Sequence, residues 1–191
     1  MIFSDGSILV EPSNAELAEK LGINTKAQRQ FYDTIIIGSG PTGLTAGLYM
    51  GREGIDTLVI EKGGIGGQAA ITQTLDNFPG FDEGIPGAEF ADRLGRQASR
   101  FGVEILQANE VVSVFPQGNY WCAITRDGIE YGCRVMLLAS GARYRKLGIP
   151  GEDNFIDSCV HFCASCDGAF HKGKRVWSWG VATAALKRRS F

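Results

Sequence analysis

The stretch Asp33-Thr-Ile-Ile-Ile-Gly-Ser-Gly-Pro-Thr-Gly-Leu44 decides the fold. Its first half is a short run of β-branched residues, the pattern of a strand buried on both faces. Its second half sets glycines at 38, 40 and 43, and a helical pattern over Leu44–Glu53 follows, with Leu44, Leu48 and Tyr49 at core spacing. Gly54 stops that helix, and Thr57-Leu-Val-Ile-Glu61 reads as a second buried strand. In such a turn Gly38 permits the tight bend, Gly40 lets a pyrophosphate approach the backbone, and Gly43 allows close packing of helix on strand. The helix start offers unpaired N–H groups and positive partial charge to phosphates. Glu61 lies 18 residues beyond Gly43, the spacing at which an acid accepts from a ribose hydroxyl. A carboxylate there favours an unphosphorylated ribose, hence FAD or NAD over NADP.

Upstream, residues 3–10 read as a short hairpin turning at Asp5-Gly6, and Ala15–Leu21 as a short helix with Leu17 and Leu21 on one face. Thr25–Gln30 reads as a polar linker. Downstream, residues 63–87 are Gly-rich and without periodicity, as binding segments often are. Ala88–Phe101 is an amphipathic helix with Phe90, Leu94, Ala98 and Phe101 on one side. Val103–Leu106, Val111–Phe115, Trp121–Thr125 and Ile129–Cys133 read as short strands, and Arg134–Ala139 as another, buried one. The expected fold is α/β: a Rossmann-like domain with a parallel sheet, flanking helices and a small antiparallel meander.

Composition is globular, at 44% hydrophobic and 21% charged, with 26 Gly against 6 Pro. With a net charge of −2 and no basic stripe, nothing points to nucleic acid, and none is expected as a partner. No apolar run approaches the ~20 residues of a membrane helix, and the first residues lack the form of a signal peptide. Five Cys in a chain of this length do not make a disulfide scaffold, and a cytoplasmic protein with thiols kept for chemistry is the simpler expectation.

Three of those Cys cluster: Cys159, and the pair in Cys163-Ala-Ser-Cys166-Asp167. Two thiols at the latter spacing can close a small disulfide, with Asp167 placed to exchange a proton. Taken alone, the pair leaves redox chemistry and a metal site about even, because Cys159 and His161 stand nearby. Behind a dinucleotide fold, redox is the expectation. His161 and His171 belong to no recognisable triad and read as solvated or helix-end residues.

From about Phe31 to Val176 these residues resemble the low-molecular-weight thioredoxin reductase family of FAD-dependent pyridine nucleotide-disulfide oxidoreductases. The resemblance is carried by Gly38-Ser-Gly-Pro-Thr-Gly43, Gly66-Gly-Gln68, Asn77-Phe-Pro-Gly80, Ala139-Ser-Gly-Ala142, Ile149-Pro-Gly-Glu152 and Cys163–Asp167. It implies an FAD site that includes Pro41 beside the glycines, Gly67, Gln68 and Asn77 near the flavin, and Val112, Ala139 and Gly141. It also implies that NADPH, on a second Rossmann domain, reduces FAD, which reduces a Cys163–Cys166 disulfide. Cys166 would face the flavin, Cys163 would attack the disulfide of thioredoxin or a similar protein, and Asp167 would serve as the acid. Relatives of this kind are usually homodimers.

The resemblance implies a division into an appendage at 1–30, a first FAD-domain segment at 31–150, and the start of an NADPH domain at 151–176. The appendage has the pattern of the end of a fused thioredoxin-like domain. Residues 177–191 depart from the family: a second glycine turn is expected there, and Trp177-Ser-Trp-Gly follows instead. With permitted codons, a one-base shift of frame turns these residues into VVVGGGNSGLEEALF, a strand, glycine turn and helix start. The expectation is therefore a frameshifted tail, and no turnover with NADPH by residues 1–191 alone. The competing readings are a non-catalytic FAD-binding fragment and a metal-bound structural module on Cys159, Cys163 and Cys166.

Overall fold

A computed structural model of the chain describes residues 1–3, 6–143, 145–156, 158–162 and 171–177. The chain divides into two compact units, residues 1–73 with 85–141 and residues 74–84 with 142–191.

The first unit is built on a six-stranded mixed sheet. In chain order its strands are β1 (Phe31–Ile37), β2 (Thr57–Ile60), β3 (Glu104–Leu106), β4 (Val111–Gln117), β5 (Tyr120–Thr125) and β6 (Glu130–Leu138). They lie in the order β3-β2-β1-β6-β5-β4. The first four neighbours run parallel, while β5 pairs antiparallel with both β6 and β4. The helices of this unit are α1 (Asn14–Lys20), α2 (Pro41–Arg52), α3 (Gly67–Ala70) and α4 (Gly87–Arg100). The expected α/β architecture, a parallel sheet with helices and a meander, is the observed one.

Successive β1 residues serve opposite faces. Ile35, paired with Leu58, joins a core with Ile60, Leu106, Tyr131 and Cys133. Ile36, paired with Val59, joins a second core with Leu44, Leu48, Ala98 and Val103 from the α2 and α4 side. Each fully buried aliphatic of this kind contributes about 1.5–3 kcal/mol of transfer free energy. All four residues of β2 are buried, as its unbroken apolar run requires.

Several local readings are corrected. The strands expected at 129–133 and 134–139 are one strand, β6, which pairs with β5 over 130–133 and with β1 from Gly132 to Leu138. The partners change while the strand continues, and periodicity carries no record of that. Tyr49 and Phe101 have helical core spacing but are 57% and 36% exposed, each under the guanidinium of an adjacent arginine, Arg52 and Arg100. Among the described residues of α1, Ala18 is the buried one, whereas Leu21 beyond it is exposed. Within 63–87, residues 67–70 form the one-turn helix α3.

The expected polar linker is fastened to the sheet. The N–H of Ala27 donates to Tyr131 Oη (3.2 Å), that of Gln28 to Glu104 Oε1 (2.8 Å), and that of Arg29 to Tyr32 Oη (3.1 Å). The Tyr32 hydroxyl in turn donates to Glu104 Oε2 (2.6 Å), and Arg29 pairs with Asp56. Burial, and then the Glu104 carboxylate, push the Tyr32 phenol above its ordinary value.

In the second unit, α5 (Glu152–Phe155) starts at Gly151 in a left-handed conformation. The buried Glu152 carboxylate accepts from the N–H groups of Leu147 (2.9 Å) and Gly148 (2.7 Å), closing the loop ahead of the helix. Among the described residues, no helix is long and apolar enough to cross a membrane.

Candidate functional site

The chain reverses its winding at β1, whose neighbours are β2 on one side and β6 on the other. Ligands of open α/β sheets bind beyond the strand C-termini at such a point. The C-terminal ends of β1, β2, β3 and β6 are joined there. The N–H of Gly38 donates to Ile60 O (2.9 Å), that of Ala139 to Ile37 O (2.8 Å), and that of Glu61 to Leu106 O (2.8 Å).

The three glycines of the turn have different reasons to be glycine. Gly38 has φ +105°, and a Cβ on it would lie 2.3 Å from Ala139 O. A Cβ on Gly43 would lie 1.9 Å from Gly38 O, because α2 crosses the strand end there. Gly40 has an ordinary φ of −65°, and a Cβ on it would meet nothing within 4 Å. Packing and backbone conformation therefore account for Gly38 and Gly43, and neither accounts for Gly40. Gly67 stands across from it, its own Cβ position 3.6 Å from Gly40 Cα, in a left-handed conformation (φ +54°) at the start of α3.

Pro41 occupies the first position of α2, where its missing N–H costs nothing. Among the described residues no side chain caps that helix start, so its first-turn donors have no capping partner. This open, uncapped cradle fits a pyrophosphate such as that of FAD.

Glu61 lies at the rim, half-buried. Its Oε2 accepts from the N–H (2.9 Å) and hydroxyl (3.0 Å) of Ser39, and its Oε1 from the N–H of Gly63 (3.0 Å). The Ser39 carbonyl accepts from the N–H of Gly66 (2.9 Å), tying the glycine turn to the chain ahead of α3. Sequence reading missed Ser39, since the glycine pattern leaves that position open; its full burial is visible only in three dimensions. Asn109 was missed as well. Its N–H donates to Glu61 O (3.0 Å), and its side-chain amide to Thr25 O (3.1 Å) and Asp127 Oδ2 (3.1 Å).

The other expected residues fall as follows. Gln68 is exposed in α3, Ala139 follows β6 beside Gly38, and Gly141 follows two residues later, exposed. Val112 is 53% exposed, where the register of β4 against β5 shifts between Val111 and Ser113. A bulge leaves its extra residue outside the ladder, with backbone groups uncommitted. Asn77 is exposed and belongs to the second unit, in a shallow hollow formed by Asp76–Asp82. Cys163, Cys166 and Asp167 lie outside the described residues. Of the described cysteines, Cys122 and Cys133 are buried and Cys159 is exposed. Burial pushes the Cys122 thiol up to about 11 and raises that of Cys133. Among the described residues no three His, Cys, Asp or Glu are grouped to hold a metal ion. His161 and His171 are not solvated rings: both are half-buried and pack edge to face with centroids 4.8 Å apart.

Comparison with known proteins agrees with this geometry. The chain is 39% identical over 163 residues to the thioredoxin reductase of Bacillus subtilis, covering 84% of this chain and 50% of the relative. It is 38% identical over 165 residues to the bifunctional thioredoxin reductase/thioredoxin of Mycobacterium leprae, covering 86% and 36%. Among solved structures, thioredoxin reductase from Streptococcus pyogenes superposes with a TM-score of 0.67 at 41% identity, over 74% of this chain and 45% of that one. The Lactococcus lactis enzyme gives 0.61 at 40% identity, over 73% and 45%. The chain thus spans about half the length of the first relatives it matches. The profile described as "Pyridine nucleotide-disulphide oxidoreductase" matches residues 32–185, from the first strand past the CxxC pair, and by that match the chain belongs to the pyridine nucleotide-disulphide oxidoreductase family.

Proposed function

We propose that this chain carries the FAD-binding portion and the redox dithiol of a thioredoxin-disulfide reductase. The observation that carries the reading is Gly40, a glycine that neither backbone conformation nor packing requires, set at an uncapped helix start between Gly67 and the strand ends. Gly38 and Gly43 shape the turn, the α2 start binds the pyrophosphate, and Glu61 accepts from the adenosine ribose. Gln68, Asn77, Val112, Ala139 and Gly141 complete the FAD contacts by analogy with the family. FAD, when bound, supplies a two-electron relay between NADPH and the Cys163–Cys166 disulfide.

The chain's own residues then act on a protein disulfide. The Cys163 thiolate attacks one sulfur of the partner, thioredoxin or a thioredoxin-like protein, and a mixed disulfide forms as the partner's other sulfur leaves as a thiolate. Asp167 supplies the proton for that leaving thiolate. Cys166 attacks the mixed disulfide and restores the Cys163–Cys166 bond, releasing the reduced partner. The relatives' names support thioredoxin as the partner class. Residues 31–150 as FAD segment and 151–176 as the start of an NADPH domain, with a cytoplasmic homodimer as the working form, belong to the same reading.

The test is titration of the purified chain with FAD, followed by flavin fluorescence. Saturable binding with one FAD per chain is expected. A chain that leaves flavin fluorescence unchanged at every concentration sinks the reading.

A further inference from the structure

We infer that Ser39 is a positioning residue that fills one oxygen of the Glu61 carboxylate, so that the acid reads one ribose hydroxyl of the adenosine and not two. The inference rests on the reading of this turn as an FAD site.

A carboxylate offers about four acceptor directions, two on each oxygen. Ser39 takes both directions of Oε2, one through its N–H at 2.9 Å and one through its hydroxyl at 3.0 Å. The N–H of Gly63 takes one direction of Oε1 at 3.0 Å. Among the described residues a single direction is left, and it belongs to Oε1. An unencumbered carboxylate facing the two adjacent hydroxyls of a ribose could accept one on each oxygen. Here the second hydroxyl meets an oxygen whose acceptor capacity is already spent.

Ser39 is also held so that it cannot yield easily. It is fully buried, and its carbonyl accepts from the Gly66 N–H. Its neighbours Gly38 and Gly40 turn the chain on either side. Withdrawing the hydroxyl would leave a buried donor without a partner, which is unfavourable. The two Ser39 donors and the Gly63 donor together fix the Glu61 rotamer before any ligand arrives, which lowers the entropic cost of using it.

The test compares FAD with two analogues whose adenosine ribose lacks the 2′- or the 3′-hydroxyl, by equilibrium titration of the purified chain. In the unaltered chain, one analogue is expected to bind about tenfold to a hundredfold more weakly than FAD, and the other as well as FAD. In Ser39→Ala the freed direction on Oε2 recruits the second hydroxyl, so both analogues then bind more weakly than FAD does. Equal affinity of the two analogues for the unaltered chain, whether both are weakened or neither is, overturns the inference and leaves the FAD reading standing. Unchanged discrimination in a folded Ser39→Ala overturns it too. Should Ser39→Ala fail to fold, the analogue pair on the unaltered chain decides alone. Failure of FAD itself to bind removes the reading and the inference together.

Discussion

Gly40 and Gly43 are three residues apart and identical in side chain, yet substitution should separate them cleanly. An alanine at 43 would put its Cβ 1.9 Å from the carbonyl oxygen of Gly38, a backbone atom that cannot move without shifting α2 or β1. Gly43→Ala should therefore cost at least the 1–3 kcal/mol typical of an overpacked core, roughly, and lower the urea midpoint accordingly. Gly40→Ala has open space and an ordinary backbone angle, so its stability should stay within about 0.5 kcal/mol. Its methyl stands where the pyrophosphate approaches, and FAD affinity should fall by about tenfold or more. Urea unfolding and FAD titration of both variants check the contrast; a Gly40→Ala chain that binds FAD normally would falsify the assignment of Gly40. The sequence pattern made all three glycines legible as a group. The pattern also gave each glycine its own expected role, but not the distances that separate them, because those depend on where Ala139 and Gly67 return to the turn. Ser39 was invisible for a related reason: the pattern constrains glycines, and the residue between them matters through Glu61, 22 positions away, and through Gly66.

At the scale of elements, the turn joining β5 to β6 shows how a short polar segment holds the meander. Burial alone would raise the Asp127 carboxyl. The Thr125 hydroxyl (2.6 Å), the Ile129 N–H and the Asn109 amide (3.1 Å) outweigh burial and hold it below the ordinary carboxylate range. A carboxyl depressed on folding contributes stability that is fully present above its unfolded value and is lost as pH falls through its folded one. Asp127→Asn should thus be less stable near neutral pH, by no more than about 1 kcal/mol because Asp127 is exposed and its interactions are screened. The gap to the unaltered chain should narrow once the pH drops below the usual Asp range. Urea midpoints across a pH series test this, and a gap that stays constant into acid would contradict the cause given. The turn itself was readable from Arg126-Asp127-Gly128, and Gly128 has the positive φ (84°) that such a turn needs. The continuity of β6 was not readable. The same strand serves an antiparallel partner at one end and a parallel one at the other, and both pairings look alike in a hydrophobicity pattern. Nor was the fastening of residues 27–29 readable, since it rests on backbone N–H groups that meet Tyr131, Glu104 and Tyr32 only after folding.

Over the whole molecule the described cysteines divide between the two units, Cys122 and Cys133 in the first and Cys159 in the second, while Cys163 and Cys166 lie outside the described residues. The first pair sits in the sheet core, where burial raises both thiols, Cys122 to about 11, so neither is a thiolate near neutral pH. Thiolate character and access govern alkylation, and these two have neither. Cys159 is exposed. Alkylation of the native chain at neutral pH, with peptide mapping by mass spectrometry, should therefore mark Cys159 with or without prior reduction. Cys122 and Cys133 should be marked only after unfolding. The proposed dithiol predicts a third behaviour for Cys163 and Cys166: protected after oxidation, and marked after reduction by a small dithiol. The metal-bound alternative predicts something different, protection that a chelator lifts and a reductant does not. Labelling of Cys163 and Cys166 that is indifferent to both treatments would remove both chemistries from this chain and leave only its flavin cradle to explain.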